Sequence, residues 1–219
     1  KTELDWAHAI GRRTGRSFAG GRASGVRVTW LGHSSGLVEI DETVVLCGPV
    51  FAERASMFSF MGPKRFHPTP ISIDELPVLD AVAISHDHYA HLDYEDVAQL
   101  APKTAAFYVP LGIGAHLEEW EIPAGKIVET DWWEEEEVGE IKLTACPARH
   151  FAGRTGFNNN KTLSASSAVI GPEPRGCVSG DTGLKDLFEK VGELYAPLPV
   201  TSIKRGAYPL TWPEFHIDP

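Results

Sequence analysis

The run Leu79-Asp80-Ala81-Val82-Ala83-Ile84-Ser85 constrains the fold more than any other segment of the chain. It is almost unbroken in its apolar character, as expected for a strand covered on both faces. Such a strand needs a layer of packing on each side. Upstream, Val26–Leu31 alternates and is β-branched, and Leu37–Ile40 with Thr43–Leu46 reads as a hairpin turning at Asp41-Glu42. Downstream, helices over Asp93–Leu100 (with Asp93 as N-cap), Gly112–Trp120 and Leu184–Val191 interleave with further strands. Those strands are expected at Ala105–Val109, Lys126–Glu129, Ile141–Cys146, Ser166–Ile170 and Gly176–Ser179. The pattern is that of a mixed α/β layered domain.

Composition narrows the setting. At 219 residues the chain is long enough for one sizeable core, which we place over residues 26–219. Residues 1–25 read as a flexible basic arm carrying Arg12, Arg13, Arg16 and Arg22 among five glycines. The arm is either a solvated tail or a weak contact for an anionic surface such as lipid head groups. A formal charge of −10 argues against a general nucleic-acid binder, which has to neutralise phosphates. There is no long apolar span and no signal-peptide layout. The three separated cysteines Cys47, Cys146 and Cys177 read as buried free thiols in a reducing compartment, so a cytoplasmic location is expected. The chain starts without Met and is expected to be a fragment. Residues 129–140 hold seven acids and read as a solvated edge, with Trp132-Trp133 packed beside it. The Pro- and Phe-rich residues 51–78 form a long surface excursion, of the kind that covers a site or partner surface. Within it Met57, Phe58, Phe60, Met61 and Phe66 either line an apolar acyl groove or form a packed lid.

The chemistry sits just after the buried strand, in His86-Asp87-His88-Tyr89-Ala90-His91. His86 and His88 are two apart, so an extended backbone points both to one side, and His91 follows as the chain turns toward a helix. Imidazole is a common neutral metal ligand, and this cluster points to a metal site. Two more segments share the layout of a strand end plus a candidate ligand. Pro147-Ala148-Arg149-His150 follows one strand and Ser179-Gly180-Asp181-Thr182-Gly183 another, where glycine allows the sharp turn that aims Asp181 inward.

Together these segments resemble the His-x-His-x-Asp-His pattern of the metallo-β-lactamase superfamily. Trp30-Leu31-Gly32-His33-Ser34-Ser35, Asp131-Trp132-Trp133, Gly153-Arg154-Thr155, Gly206-Ala207-Tyr208 and His216-Ile217-Asp218-Pro219 are similar to one branch of it. That branch contains the N-acyl-phosphatidylethanolamine-hydrolysing phospholipase D enzymes and related lactonase-like hydrolases. The resemblance implies a four-layer αββα sandwich with two zinc ions at one edge of its sheets. By that likeness His86, His88 and His150 hold the first metal, while His91 and Asp181 serve the second, with Asp181 bridging. A hydroxide between the metals would attack a phosphodiester or related ester, and His216 would assist proton transfer. The implied substrate is a phospholipid or small phosphodiester, with peripheral contact to a membrane surface.

Three departures from the family pattern all touch the second metal. Ala90 stands where the motif has Asp, Cys47-Gly48-Pro49 replaces Thr-Asp-Pro, and the family's final histidine ligand lies past the position of Pro219. One tight zinc and a weak second site are therefore expected, in a sandwich cut short at its C-terminal end. Losses around a metal's ligands cost roughly 10- to 100-fold in affinity or activity. A non-catalytic relative that binds a lipid or a protein is the alternative. Self-association is one way such a shortened sandwich covers its open edge.

Overall fold

The computed structural model describes residues 25–58, 60–154, 160–172, 175–183 and 187–203. Residues 1–24 of the basic arm and His216 lie outside the described residues, as do Gly206-Ala207-Tyr208.

Eleven strands and three α-helices are described. The first sheet has six strands in chain order: β1 (Val26–Gly32), β2 (Ser35–Ile40), β3 (Thr43–Cys47), β4 (Leu79–Ala83), β5 (Thr104–Pro110) and β6 (Ile127–Thr130). The first three are antiparallel, and β3 to β6 pair in parallel. The second sheet runs β11-β10-β9-β8-β7, from β7 (Glu135–Val138), β8 (Ile141–Pro147), β9 (Ala165–Ile170), β10 (Arg175–Val178) and β11 (Val200–Ser202). The helices are α1 (Tyr94–Leu100), α2 (Gly114–Glu119) and α3 (Leu187–Tyr195).

Side-chain alternation explains the layering. On β3, Val45 and Cys47 face the second sheet, while Val44 and Leu46 face the helices. The space between the sheets is filled by Val38, Ile40, Val45, Ala81 and Ala83 from the first, against Ile141, Leu143 and Val169 from the second. On the outer face of the first sheet, Leu46, Leu79, Val82 and Phe107 pack with Val97 and Leu100 of α1 and Leu117 of α2. On the outer face of the second, Cys146 and Ala168 pack with Val191 and Tyr195 of α3. Each fully buried side chain of this kind is worth roughly 1.5–3 kcal/mol over its exposed state. The layers are thus helix, sheet, sheet, helix, as the sequence led us to expect.

Local signals account for the ends of the elements. Asp93 caps α1, its side chain accepting from Asp96 N at 3.1 Å, and Pro102 follows the helix where its ring cannot continue the hydrogen-bond ladder. The acidic stretch is a solvated edge, as expected, and it also carries two structural parts. Glu129 Oε1 accepts from Gly112 N and Gly114 N, both at 2.8 Å, so this carboxylate holds the start of α2. Residues 135–138 are an edge strand paired with β8, because backbone bonds carry the pairing and the glutamates can still reach water. Trp133 packs against the α3 cluster as expected, and Trp132 donates to Ser164 O at 3.0 Å.

The excursion over residues 51–78 contains no strand or helix among its described residues, only an isolated bridge between Arg54 and Lys64. Lys103 holds its far end, donating from Nζ to Ile73 O, Asp74 O and Leu76 O. Phe60 is 78% and Phe66 95% exposed, so those rings neither form a packed lid nor line a closed groove. Among the described residues, no helix is long and apolar enough to cross a membrane.

Candidate metal centre

Three loops meet at one end of the sheets. The loop after β4 carries His86, His88 and His91, the loop after β8 carries His150, and the loop after β10 carries Asp181. Ala165 N at the start of β9 donates to Ser85 O at 2.8 Å, which ties the second sheet to the end of β4. Arg149 N donates to Thr182 Oγ1 at 2.9 Å and Gly183 N to Arg149 O at 3.1 Å, which locks the second loop to the third. Gly180 makes the close approach: its φ is +59°, and a Cβ there would lie 2.7 Å from the Cβ of Ser85.

The ligand atoms converge as two groups that share His86. Nitrogens of His86, His88 and His150 lie within 4.8 Å of one another, as do atoms of His86, His91 and Asp181. His88 Nδ1 is 3.1 Å from His150 Nε2, and His91 Nε2 is 3.2 Å from Asp181 Oδ1. Ligands at 2.0–2.1 Å around a tetrahedral zinc are spaced by about 3.3 Å, so both separations fit one coordination shell. Asp181 also reaches the first group, with Oδ2 3.9 Å from His150 Nε2. His86 Nε2 is buried and has no hydrogen-bond partner, a state that costs roughly 1–3 kcal/mol unless something takes its lone pair. A metal cation at that point satisfies it.

Ser85 sets the orientation of two rings. Its Oγ is 2.9 Å from His86 Nδ1 and 3.2 Å from His91 Nδ1. A hydroxyl oxygen has two lone pairs and can accept from both Nδ1–H groups, the tautomer that turns each Nε2 toward the site. Burial, then the neighbouring His91, holds His86 well below the usual imidazole range of 6.5, which keeps it neutral and fit to bind a cation. Asp87 points away from the metal face. Burial alone would raise its carboxyl, but His116 and the Gly153 N–H outweigh that and hold it below the ordinary 3.8.

A family model described as a beta-lactamase superfamily domain matches residues 43–219. The chain belongs to the metallo-β-lactamase superfamily. An uncharacterized protein of Mycobacterium tuberculosis, Rv0906, is 45% identical over 200 residues, covering 91% of this chain and 54% of its own. N-acyl-phosphatidylethanolamine-hydrolyzing phospholipase D 1 of Caenorhabditis elegans is 36% identical over 208 residues, covering 90% of this chain and 58% of its own. The chain thus spans little more than half the length of these relatives. A solved structure of a possible metal-dependent hydrolase from Veillonella parvula superposes with a TM-score of 0.68 at 20% identity, over 88% of this chain and 76% of that one. It shares the fold.

Within this superfamily frame, the sequence-predicted residues His86, His88, His91, His150 and Asp181 all come together. The two departures that fall within the described residues have a structural setting. Ala90 presents only a methyl group, and its carbonyl accepts from Ser34 Oγ at 2.8 Å. Gly48 has φ +60°, and a Cβ there would sit 2.6 Å from Ser34 O, so the backbone is shaped for glycine. Sequence reasoning did not find the parts played by Ser85, Asp87 and His33. The His33 ring lies 6.3 Å from that of His91 and lines a cleft of about 290 Å³ with Trp30, Ser34, Gly180 and Ile203. A β-bulge between Trp30 and Gly32 and a φ of +51° at His33 were the available signals, since both re-aim a side chain, but neither can be read from residue order.

Proposed function

We propose that this chain is the metal-binding core of a zinc-dependent hydrolase that cleaves a phosphodiester of the N-acyl-phosphatidylethanolamine type, or a related ester. The observation that carries this is the buried His86 shared between a three-imidazole group and a His–Asp pair. The likeness to a phospholipase D of Caenorhabditis elegans over 90% of the chain supports the substrate class. A zinc held by His86, His88 and His150 supplies a Lewis acid for a phosphoryl or ester oxygen and brings the pKa of a water to about 7. The chain's own groups do the rest. Ser85 Oγ touches Nδ1 of two imidazoles and so orients their rings, and Asp181 contributes negative charge between His91 and His150. His33 faces the adjoining cleft, where it can hydrogen-bond a substrate oxygen. His216 is our further candidate for proton transfer to the leaving group. The exposed rings of Phe60 and Phe66, with Met57 at 57% exposure, support peripheral contact with a lipid surface.

A non-catalytic role is the second reading, favoured by the methyl group at Ala90 and the glycine-shaped backbone at Gly48. One experiment separates the two. Metal content is measured by elemental analysis after zinc loading and dialysis, and the loaded protein is assayed on N-acyl-phosphatidylethanolamine vesicles and on bis(p-nitrophenyl) phosphate. Bound zinc with turnover of either substrate supports the hydrolase. Bound zinc without turnover supports the second reading, and a protein that retains no metal overturns both the zinc centre and the catalysis built on it.

A further inference from the structure

Gly153-Arg154 belongs to a motif that the proposed chemistry leaves without a part, yet it makes three short hydrogen bonds to the His86–His91 loop. Gly153 N donates to Asp87 Oδ1 at 2.7 Å, from a backbone with φ +143°. Arg154 Nη1 donates to Asp87 O at 2.9 Å and to Leu92 O at 2.6 Å. Those two carbonyls bracket the segment that carries His88 and His91, so one guanidinium nitrogen staples the segment's two ends. The guanidinium also lies over the Tyr89 ring at 4.1 Å to its centroid and over Trp120 at 5.1 Å. Tyr89 sits inside the stapled segment and Trp120 follows α2. Arg154 itself is four residues past His150, on the loop that supplies the third imidazole.

We propose that Arg154 is a positioning residue for the metal centre, holding the His150 loop and the His86–His91 loop in the register that brings His88 and His150 onto one cation. This rests on the metal-centre reading above. The physical case is that His88 and His150 come from loops 62 residues apart, and a separation of 3.1 Å between their nitrogens must be held in advance if binding is not to spend energy on ordering them. A planar five-donor group that lies over two rings is held more firmly in distance and angle than a lysine ammonium would be. Gly153 and Arg154 grip the same residue, Asp87, by side chain and main chain, so the loops can neither slide nor rotate independently.

The test compares Arg154→Ala and Arg154→Lys with the parent protein and with Val97→Ala, a truncation in the α1 core whose side chain makes none of the contacts of Arg154. Three readouts are taken: zinc affinity by chelator competition, the visible spectrum of the cobalt-loaded protein, and Tm without metal. For Arg154→Ala we expect zinc affinity to fall roughly 10- to 100-fold, as for other losses of support around a metal's ligands, with a changed cobalt band. Arg154→Lys should recover part of the affinity, and it carries the test if the alanine variant does not fold. Val97→Ala should lower Tm while leaving affinity and the cobalt spectrum as in the parent. Zinc affinity in the Arg154 variants within about threefold of the parent, under 1 kcal/mol, would overturn the proposal. So would an equal loss of affinity in Val97→Ala, which would make the effect one of global stability. A parent protein that binds no zinc would overturn this inference and the metal centre together, whereas tight zinc binding without hydrolysis would overturn only the catalytic reading.

Discussion

Asp96→Asn should stabilise the protein at neutral pH, although it removes a charge that makes two good hydrogen bonds. Asp96 lies on α1 and is 4% exposed, and its Oδ2 accepts from Phe51 N at 2.7 Å and Ala52 N at 3.0 Å. It therefore anchors the first residues of the excursion, which go on to line a cleft of about 500 Å³ with Met57, Trp120 and Arg154. Burial pushes its carboxyl up from 3.8 to about 6, and the two backbone N–H groups oppose that only in part. A folded-state pKa raised above the unfolded value gives stability that is complete below 3.8 and lost as pH rises through about 6. A rise of about two pKa units at 1.36 kcal/mol each makes the loss about 3 kcal/mol, roughly half of it between pH 5 and 8. Asparagine keeps an acceptor oxygen for both N–H groups and never ionises. Urea unfolding of parent and variant across that range, read as a difference so that other titrating groups cancel, should show the variant gaining steadily. At pH 8 its midpoint should lie about 1 M higher. A variant less stable than the parent at pH 8 would refute the reasoning, since it would mean that the two N–H groups favour the carboxylate by more than burial disfavours it.

Ser85→Ala should leave the fold intact, cost roughly 10- to 100-fold in zinc affinity by freeing the His86 and His91 rings, and be read by chelator competition. Ala90→Asp should raise the affinity for a second metal by about tenfold or more, since a carboxylate adds a ligand, not just support for one; isothermal titration with zinc would show a second binding step.

Much of the fold was legible because its signals are local. The hairpin of β2 and β3 shows in two alternating runs around Asp41-Glu42, α1 in its Asp93 cap, and β4 in an apolar run that only a two-sided burial explains. The acidic β7 was hidden because its pairing with β8 uses backbone groups while Glu135 and Glu137 remain exposed, so charge pattern and strand formation are independent there. The three-residue β11 was hidden for a different reason: it joins β10 in parallel across a helical connection and is too short to show a period. At the site, the ligands announced themselves by residue type and spacing. Their supports did not, because Ser85 bridging two rings and Arg154 stapling a loop 62 to 67 residues away are facts of three-dimensional approach.

The glutamates of β7 also decide what the second sheet can meet. Among the described residues no strand pairs with its outer backbone edge, and an open edge invites a strand from another molecule. Two copies approaching there would bring Glu135, Glu136 and Glu137 of each against the same three of the other, with Lys142 already paired to Glu135 at 3.1 Å. That repulsion makes β7 a guarded margin, one whose own charges close the sheet to its own kind.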